Sequence, residues 1–232
     1  MAKKNVSIPF TLVRRKNQKH INIRVHHDGR VTVSAPVHTS DARVGEAVNI
    51  KEKWIRDHVA RAREKISGLN ELAEIPLSGV PHRVCIEYDP SRRGRIRVDE
   101  TNRRIEMKTG TRSRSERIDA MVRFLKKYCA DIVTPEIDTA SIRVKIDIKK
   151  IFYRNQRTRW GSSSERGNIS LNFRVALLPP GVRRYLILHE LAHQVHMNHS
   201  PRFWNYLAEL CPDYRKSDRW LKDHAYFLGL FR

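Results

Sequence analysis

The stretch Leu186-Ile187-Leu188-His189-Glu190-Leu191-Ala192-His193-Gln194-Val195-His196-Met197-Asn198-His199 decides how this chain is read. The spacing predicts a helix over about 182–197, opened by Pro179-Pro180-Gly181 and stopped at Asn198. Tyr185, Leu186, Ile187, Leu188, Leu191 and Ala192 would bury most of it and leave its His/Glu edge facing a cleft. At about 3.6 residues per turn His189 and His193 project one turn apart from a single face, so two imidazole nitrogens can meet one Zn²⁺ at about 2.0–2.1 Å. Glu190 faces the same pocket, reaches the water held by such an ion without ligating the metal, and can take its proton as the water attacks a carbonyl. That is the chemistry of a hydrolase.

Eleven histidines in 232 residues make an H-E-x-x-H pattern a rare accident. Chance supplies roughly 0.03 matches, and roughly 0.001 when a further histidine must follow six residues on, as His199 does. The third ligand lies between His196 and His199. A metal midway between His189 and His193 is level with residue 191, which leaves His196 about 7.5 Å further along the axis. If the helix ends at Asn198 the chain reverses, and His199 turns its ring back over the metal. Geometry therefore favours His199 and leaves His196 beside the site as a substrate contact, a support or an exposed side chain.

Outward from this helix, Ser200-Pro201 matches an N-cap with proline at the first helical position, and Phe203, Leu207 and Leu210 line a second helix. Upstream, Trp160 to Ser164 reads as a turn and Asn168 to Phe173 as an edge strand. If its edge is free, an extended substrate can pair with it, which makes Asn168, Ser170 and Asn172 candidate substrate contacts, with Trp160 walling the same cleft. Ser163 has no adjacent base in the sequence and is read as part of the turn. Ser141 to Ile148 alternates as a strand, and before it a helix from about Ser115 carries Ile118, Met121, Val122, Leu125, Cys129 and Ile132 to a stop near Pro135.

The first forty residues read as strands Phe10 to Val13, His20 to Val25 and Val31 to Ser34, with Asp28-Gly29 as a hairpin turn. A helix with Val44, Val48, Ile55 and Val59 near one face runs from Ser40-Asp41 to Ser67-Gly68, residues 70–81 read as a linker, and Val84 to Tyr88, Ile96 to Val98 and Arg104 to Met107 read as strands. The class expected is α+β: a β-rich part with one helix over 1–110, then a catalytic part over 111–232 whose active-site helix packs on a small sheet.

Forty-six Lys and Arg against twenty-five Asp and Glu leave a net charge of +21, carried by a chain that is 40% hydrophobic and so folds rather than remaining a disordered basic arm. Arg92 to Arg97, Arg103-Arg104, Arg112 to Arg117 and Arg154 to Arg159 can meet phosphate backbone, but their dispersal favours non-specific contact with nucleic acid over sequence reading. Cys85, Cys129 and Cys211 are odd in number and far apart, which predicts a reducing compartment, the cytoplasm. The segment from Lys3-Lys4 to Arg14-Arg15 is too interrupted for a signal peptide, and no run is long and apolar enough to span a membrane.

Arg159-Trp160-Gly161-Ser162-Ser163-Ser164, Gly167-Asn168-Ile169-Ser170-Leu171-Asn172, His189-Glu190-Leu191-Ala192-His193 and Asn198-His199-Ser200-Pro201-Arg202-Phe203-Trp204 stand in the order of the YgjP-like metallopeptidase family, which this chain resembles. The resemblance extends to the N-terminal strands and the Trp54-Ile55 helix, and so over nearly the whole chain. More distantly, His199 with Ser200, Pro201 and Phe203 is similar to the third-ligand segment of SprT-like proteases, some of which act on proteins attached to DNA. The resemblance implies a zincin-type zinc peptidase acting on protein or peptide substrates, with His189, His193 and His199 as ligands and Glu190 as general base. One departure is visible: the family commonly carries cysteine where Ser163 stands. The competing reading is a nucleic-acid-associated basic protein with a structural or vestigial zinc site, and the two combine in a protease recruited to nucleic acid. A structural site needs ligands but no base, so Glu190 favours the enzyme.

Overall fold

The computed structural model describes residues 8–26, 29–70, 72–91 and 94–231, with side chains 65–70 left aside. The stretch from Lys3 to Ser7, Asp28 of the expected hairpin, and Arg92 of the first basic stretch lie outside them. Two compact units pack separately, Met1–Ser67 and Gly68–Arg232.

In the first unit, strands β1 (Thr11–Arg15), β2 (Asn22–Val25) and β3 (Val31–Pro36) form a sheet in the order β1-β3-β2, with β1 parallel and β2 antiparallel to β3. The turn of the β2–β3 hairpin is held by the amide of Gly29 on the carbonyl of His26. Where one helix was expected there are two, α1 (Asp41–Ile50) and α2 (Glu52–Asn70), parted at Lys51. Ser40 caps α1 by accepting from the amide of Arg43. Val31, Val33 and Ala35 of β3 meet Val44, Val48 and Ile55 of the helices, which is the core the periodicity asks for.

The second unit opens with the segment read as a linker, which instead forms the hairpin β4 (Glu74–Leu77) and β5 (Val80–Tyr88). Its two-residue turn, Ser78-Gly79, has φ of 50° and 80°, the pattern that suits a tight hairpin. With β6 (Arg95–Asp99) and β7 (Arg104–Thr109) it makes a sheet ordered β4-β5-β7-β6. The turn amides of Ser78 and Gly79 donate to the carbonyls of Ala176 and Leu177 at 2.8 and 3.0 Å. These bonds join the sheet to the C-terminal elements, all within the unit Gly68–Arg232.

Helix α3 (Arg114–Val144) passes straight through Pro135, where a stop was expected. Proline removes one backbone donor, but Cys129, Val133, Ile137 and Ser141 continue a buried stripe at i+4 spacing across it. Packing outweighs the missing bond, and the strand expected over Ser141 to Ile148 gives way to the end of the helix.

Strands β8 (Lys150–Arg154), β9 (Gly161–Ser163) and β10 (Asn168–Asn172) form the third sheet, ordered β8-β10-β9. Residues 161–163, expected in a turn, are thus a strand, because their backbone pairs antiparallel with β10. β10 is central, parallel to β8 on its other side, and has no free edge; the outer strands are β8 and β9. A 3₁₀ turn over Phe173–Leu177 leads into α4 (Pro180–Val195), followed by α5 (Pro201–Leu210) and α6 (Tyr214–Asp223). The α+β class stands. No helix among the described residues is long and apolar enough to cross a membrane.

Candidate metal centre

Proline at the first position of α4 supplies a preset φ where no amide is needed. Arg183, in the next turn, is 5% exposed and grips the Glu136 carboxylate of α3 from Nε (2.9 Å) and Nη2 (2.6 Å), while its Nη1 donates to Ser78 Oγ at 3.0 Å. That clamp fixes the start of α4 against α3 and the β4–β5 turn. The helix then buries Tyr185, Leu186, Ile187, Leu188, Leu191 and Ala192, as their spacing predicts.

At its C-terminal end α4 presents His189, Glu190 and His193. The helix closes two residues sooner than Asn198 suggested, with extended backbone at His196 (φ −134°, ψ 98°). The chain turns there, α5 begins at Pro201 after Ser200, and the short connection brings His199 back over the helix. One nitrogen from each of His189, His193 and His199 lies within 4.8 Å of the others, the one such cluster of potential metal ligands among the described residues. His199 Nε2 stands 3.1 Å from His189 Nε2.

His196 does not join them. Its ring packs toward Tyr206, at 5.9 Å between centroids, and its carbonyl oxygen instead accepts from His193 Nδ1 at 3.2 Å. A proton on Nδ1 leaves the Nε2 lone pair of His193 for the cluster. The aromatic floor comes from α5: Phe203 is fully buried and stacks on His193 at 4.6 Å, and Trp204 stacks on His199 at 5.4 Å.

Electrostatics prepare the imidazoles for a cation. Burial, then the neighbouring His193 and His199, push His189 down to about 4, and burial lowers His193 as well. Both rings are therefore neutral near pH 7, the form in which a nitrogen can ligate. Glu190 is 4% exposed, and burial raises its carboxyl to about 8 against the opposing pull of Arg159. Glu190 Oε2 and His189 Nδ1 are buried without hydrogen-bond partners among the described residues. Three converging imidazole nitrogens beside an unpartnered carboxyl oxygen suit a borderline-soft divalent ion.

A cavity of about 320 Å³ opens onto His189 and Glu190, walled by Trp160, Tyr185, Asp218 and Leu228. Trp160 thus borders the site. A larger hollow of about 700 Å³ between α3 and α4 touches none of the histidines. The polar residues of β10 are placed otherwise than expected. Gly161 pairs with Leu171 and Ser163 with Ile169, so the α4 side of the sheet carries Leu171 and Ile169, and Asn168, Ser170 and Asn172 alternate onto the other side. Asn172 is fully buried, donates to the carbonyls of Gln156 and Arg159, and caps the 3₁₀ turn through Arg174. Among the described residues Ser170 Oγ is buried without a hydrogen-bond partner.

Sequence reasoning passed over Gln194, whose Nε2 donates to Ser163 Oγ, and read Tyr185 only as a buried residue of the helix, whereas its hydroxyl donates to Asp218 at 3.2 Å. Gln194 was findable, because it lies one turn beyond Glu190 on the same helical face.

The YgjP-like metallopeptidase domain matches residues 19–224, and the chain belongs to that family. It is a metallopeptidase by family, and the family implies a metal ion. The crystal structure of the metallopeptidase zymogen of Pyrococcus abyssi abylysin is similar over 40% of this chain and 94% of its own, at 22% identity and a TM-score of 0.36. No curated protein matches the sequence.

Proposed function

We propose that the chain is a zinc-dependent peptidase in which His189, His193 and His199 hold the ion and Glu190 is the general base for hydrolysis of protein or peptide substrates. The observation that carries this reading is the convergence of three imidazole nitrogens within 4.8 Å next to a buried carboxylate. Zinc held there supplies a Lewis acid that acidifies water and polarises a carbonyl. Glu190 accepts the proton of the attacking water, a task suited to a carboxylate whose proton affinity burial has raised, and passes it to the departing amine. His193 is aimed by its bond to the His196 carbonyl, and Trp160 walls the space beside the base. Extended substrate pairs along the outer edge of β9 in place of β10, since β9 is an outer strand of its sheet and lies against α4.

The direct test is metal content and peptide hydrolysis for His199→Ala and His196→Ala side by side. His199→Ala should lose metal and activity together. His196→Ala keeps the carbonyl that His193 uses and should retain both; equal metal loss in the two variants would overturn the ligand set. The cytoplasmic assignment rests on the cysteines, all three of them free thiols.

A second reading, that the peptidase is also drawn to nucleic acid, is favoured by β1 and β2. Residues 8–26 contain no Asp or Glu but carry Arg14, Arg15, Lys16, Lys19 and Arg24, and Arg15 and Arg24 stand at exposed strand positions. Binding to unrelated oligonucleotides should fall steeply between about 50 and 200 mM salt. Absence of binding at the lower salt would remove this reading and leave the peptidase intact.

A further inference from the structure

Two residues of β9 meet α4 in step with it. Gly161 and Ser163 are two apart and point to one face of the strand, about 6.6 Å apart, while Glu190 and Gln194 share one face of the helix, about 6 Å apart along its axis. The two spacings match, and the contacts follow that match. At one rung Gln194 Nε2 donates to Ser163 Oγ and, at 3.1 Å, to the carbonyl of Ser164. At the other, a Cβ added to Gly161 would stand 3.0 Å from Glu190 Cγ and 2.8 Å from Cδ, with Oε1 nearer still. All three distances are well inside carbon van der Waals separation, about 3.5–4.0 Å. Gly161 is not among the glycines with positive φ, so backbone conformation does not demand glycine here. The space its missing side chain leaves is filled by the glutamate.

We infer that Gly161 is a positioning residue for Glu190: by carrying no side chain it lets the carboxylate lie against β9, and the Gln194–Ser163 bond holds the strand at that distance. The inference rests on reading Glu190 as the base, and it gives two positions of the Trp160–Ser164 motif a task. Gly161 seats the base, and the residue at 163 anchors the strand to the helix one turn on. A methyl group at 161 would push the carboxylate off its place while leaving the imidazoles of His189, His193 and His199 where they are. Misplacement of a reacting group by about 1 Å can cost on the order of 100-fold in rate.

The test is a thermal unfolding cycle of the full chain in chelator, comparing wild type, Gly161→Ala, Glu190→Ala and the double variant, with metal content and peptide hydrolysis measured on zinc-loaded wild type and Gly161→Ala. Gly161→Ala should lower the midpoint by about 3–8 °C in the wild-type background. In the Glu190→Ala background, where nothing remains beyond the β-carbon, the same change should shift it by no more than about 1 °C. Zinc-loaded Gly161→Ala should keep its metal and lose about 100-fold in kcat with KM little changed. An equal fall in both backgrounds, or a kcat in Gly161→Ala within about threefold of wild type, would overturn the inference. Failure of the base reading is separable: Glu190→Gln would then stay active, while the thermal cycle would still report whether the glutamate and the glycine compete for one space.

Discussion

The metal centre has a helix-borne half and a loop-borne half, and they are held by different means. His189, Glu190 and His193 ride on α4, whose start is locked by the Arg183–Glu136 pair and whose side lies against β9. His199 is exposed, comes from a short connection, and is steadied by stacking on Trp204. The helix-borne half is built by folding whether or not an ion is bound. The third imidazole stacks on Trp204 and packs edge-on against Phe203, and under the proposed function binding of the ion would complete its placement. Substitutions on α4 or its clamp should therefore cost stability and function together, whereas changes around His199 should cost metal affinity alone.

The largest effect should come from the clamp. Arg183→Ala leaves Glu136 and Ser78 without their partner and should cost about 2–4 kcal/mol, discounted because Glu136 is one-third exposed. Urea denaturation of the metal-free chain measures it, and a cost below about 1 kcal/mol would mean that α4 is held by apolar packing alone. Against it, His199→Ala should change the stability of the metal-free chain by no more than about 0.5 kcal/mol while abolishing tight metal retention.

The helix-borne half should also announce itself in pH. Burial raises Glu190 from 4.5 to about 8 and lowers His189 from 6.5 to about 4. Between roughly pH 4.5 and 8 the folded chain holds a proton on Glu190 that the unfolded chain has given up, so this group's contribution is lost as pH rises. Between roughly pH 4 and 6.5 His189 acts oppositely, because the unfolded chain takes up the proton. Above about pH 6.5 only the first effect remains, and the metal-free wild type should lose stability relative to Glu190→Gln at up to about 1.4 kcal/mol per pH unit. Parallel stability curves for the two chains from pH 6.5 to 8 would show that the carboxylate is hydrated.

The smallest effect belongs to the loop-borne half. Trp204→Ala removes the ring stacked on His199 and should weaken metal affinity by roughly fivefold to tenfold, about 1 kcal/mol. Competition with a chromophoric chelator reads it; unchanged affinity would mean that His199 needs no support.

The helix-borne half was also the more legible in the sequence. An amphipathic period and an H-E-x-x-H spacing are local features, so α4 and the face carrying His189, Glu190 and His193 can be read from a window of sixteen residues. The reversal that returns His199 was legible from Ser200-Pro201. What escaped depends on distant partners. Residues 161–163 form a strand only because β10 pairs with them, and β10 lacks a free edge only because β8 occupies its other side. Pro135 stops no helix because the stripe Cys129, Val133, Ile137 continues beyond it in buried contact. The Ser78-Gly79 turn was missed since its first strand is four residues long and its amides are satisfied by carbonyls nearly a hundred residues away, on Ala176 and Leu177.

The measurement that bears most directly on the central claim is peptide hydrolysis by zinc-loaded Glu190→Gln beside zinc-loaded wild type, with metal content determined on the same samples. If Glu190 is the base, the variant should hold its full complement of zinc and lose on the order of 100-fold or more in kcat, since an amide cannot accept the proton of the attacking water. Activity within about tenfold of wild type at equal zinc content would contradict the account and assign the proton to another group.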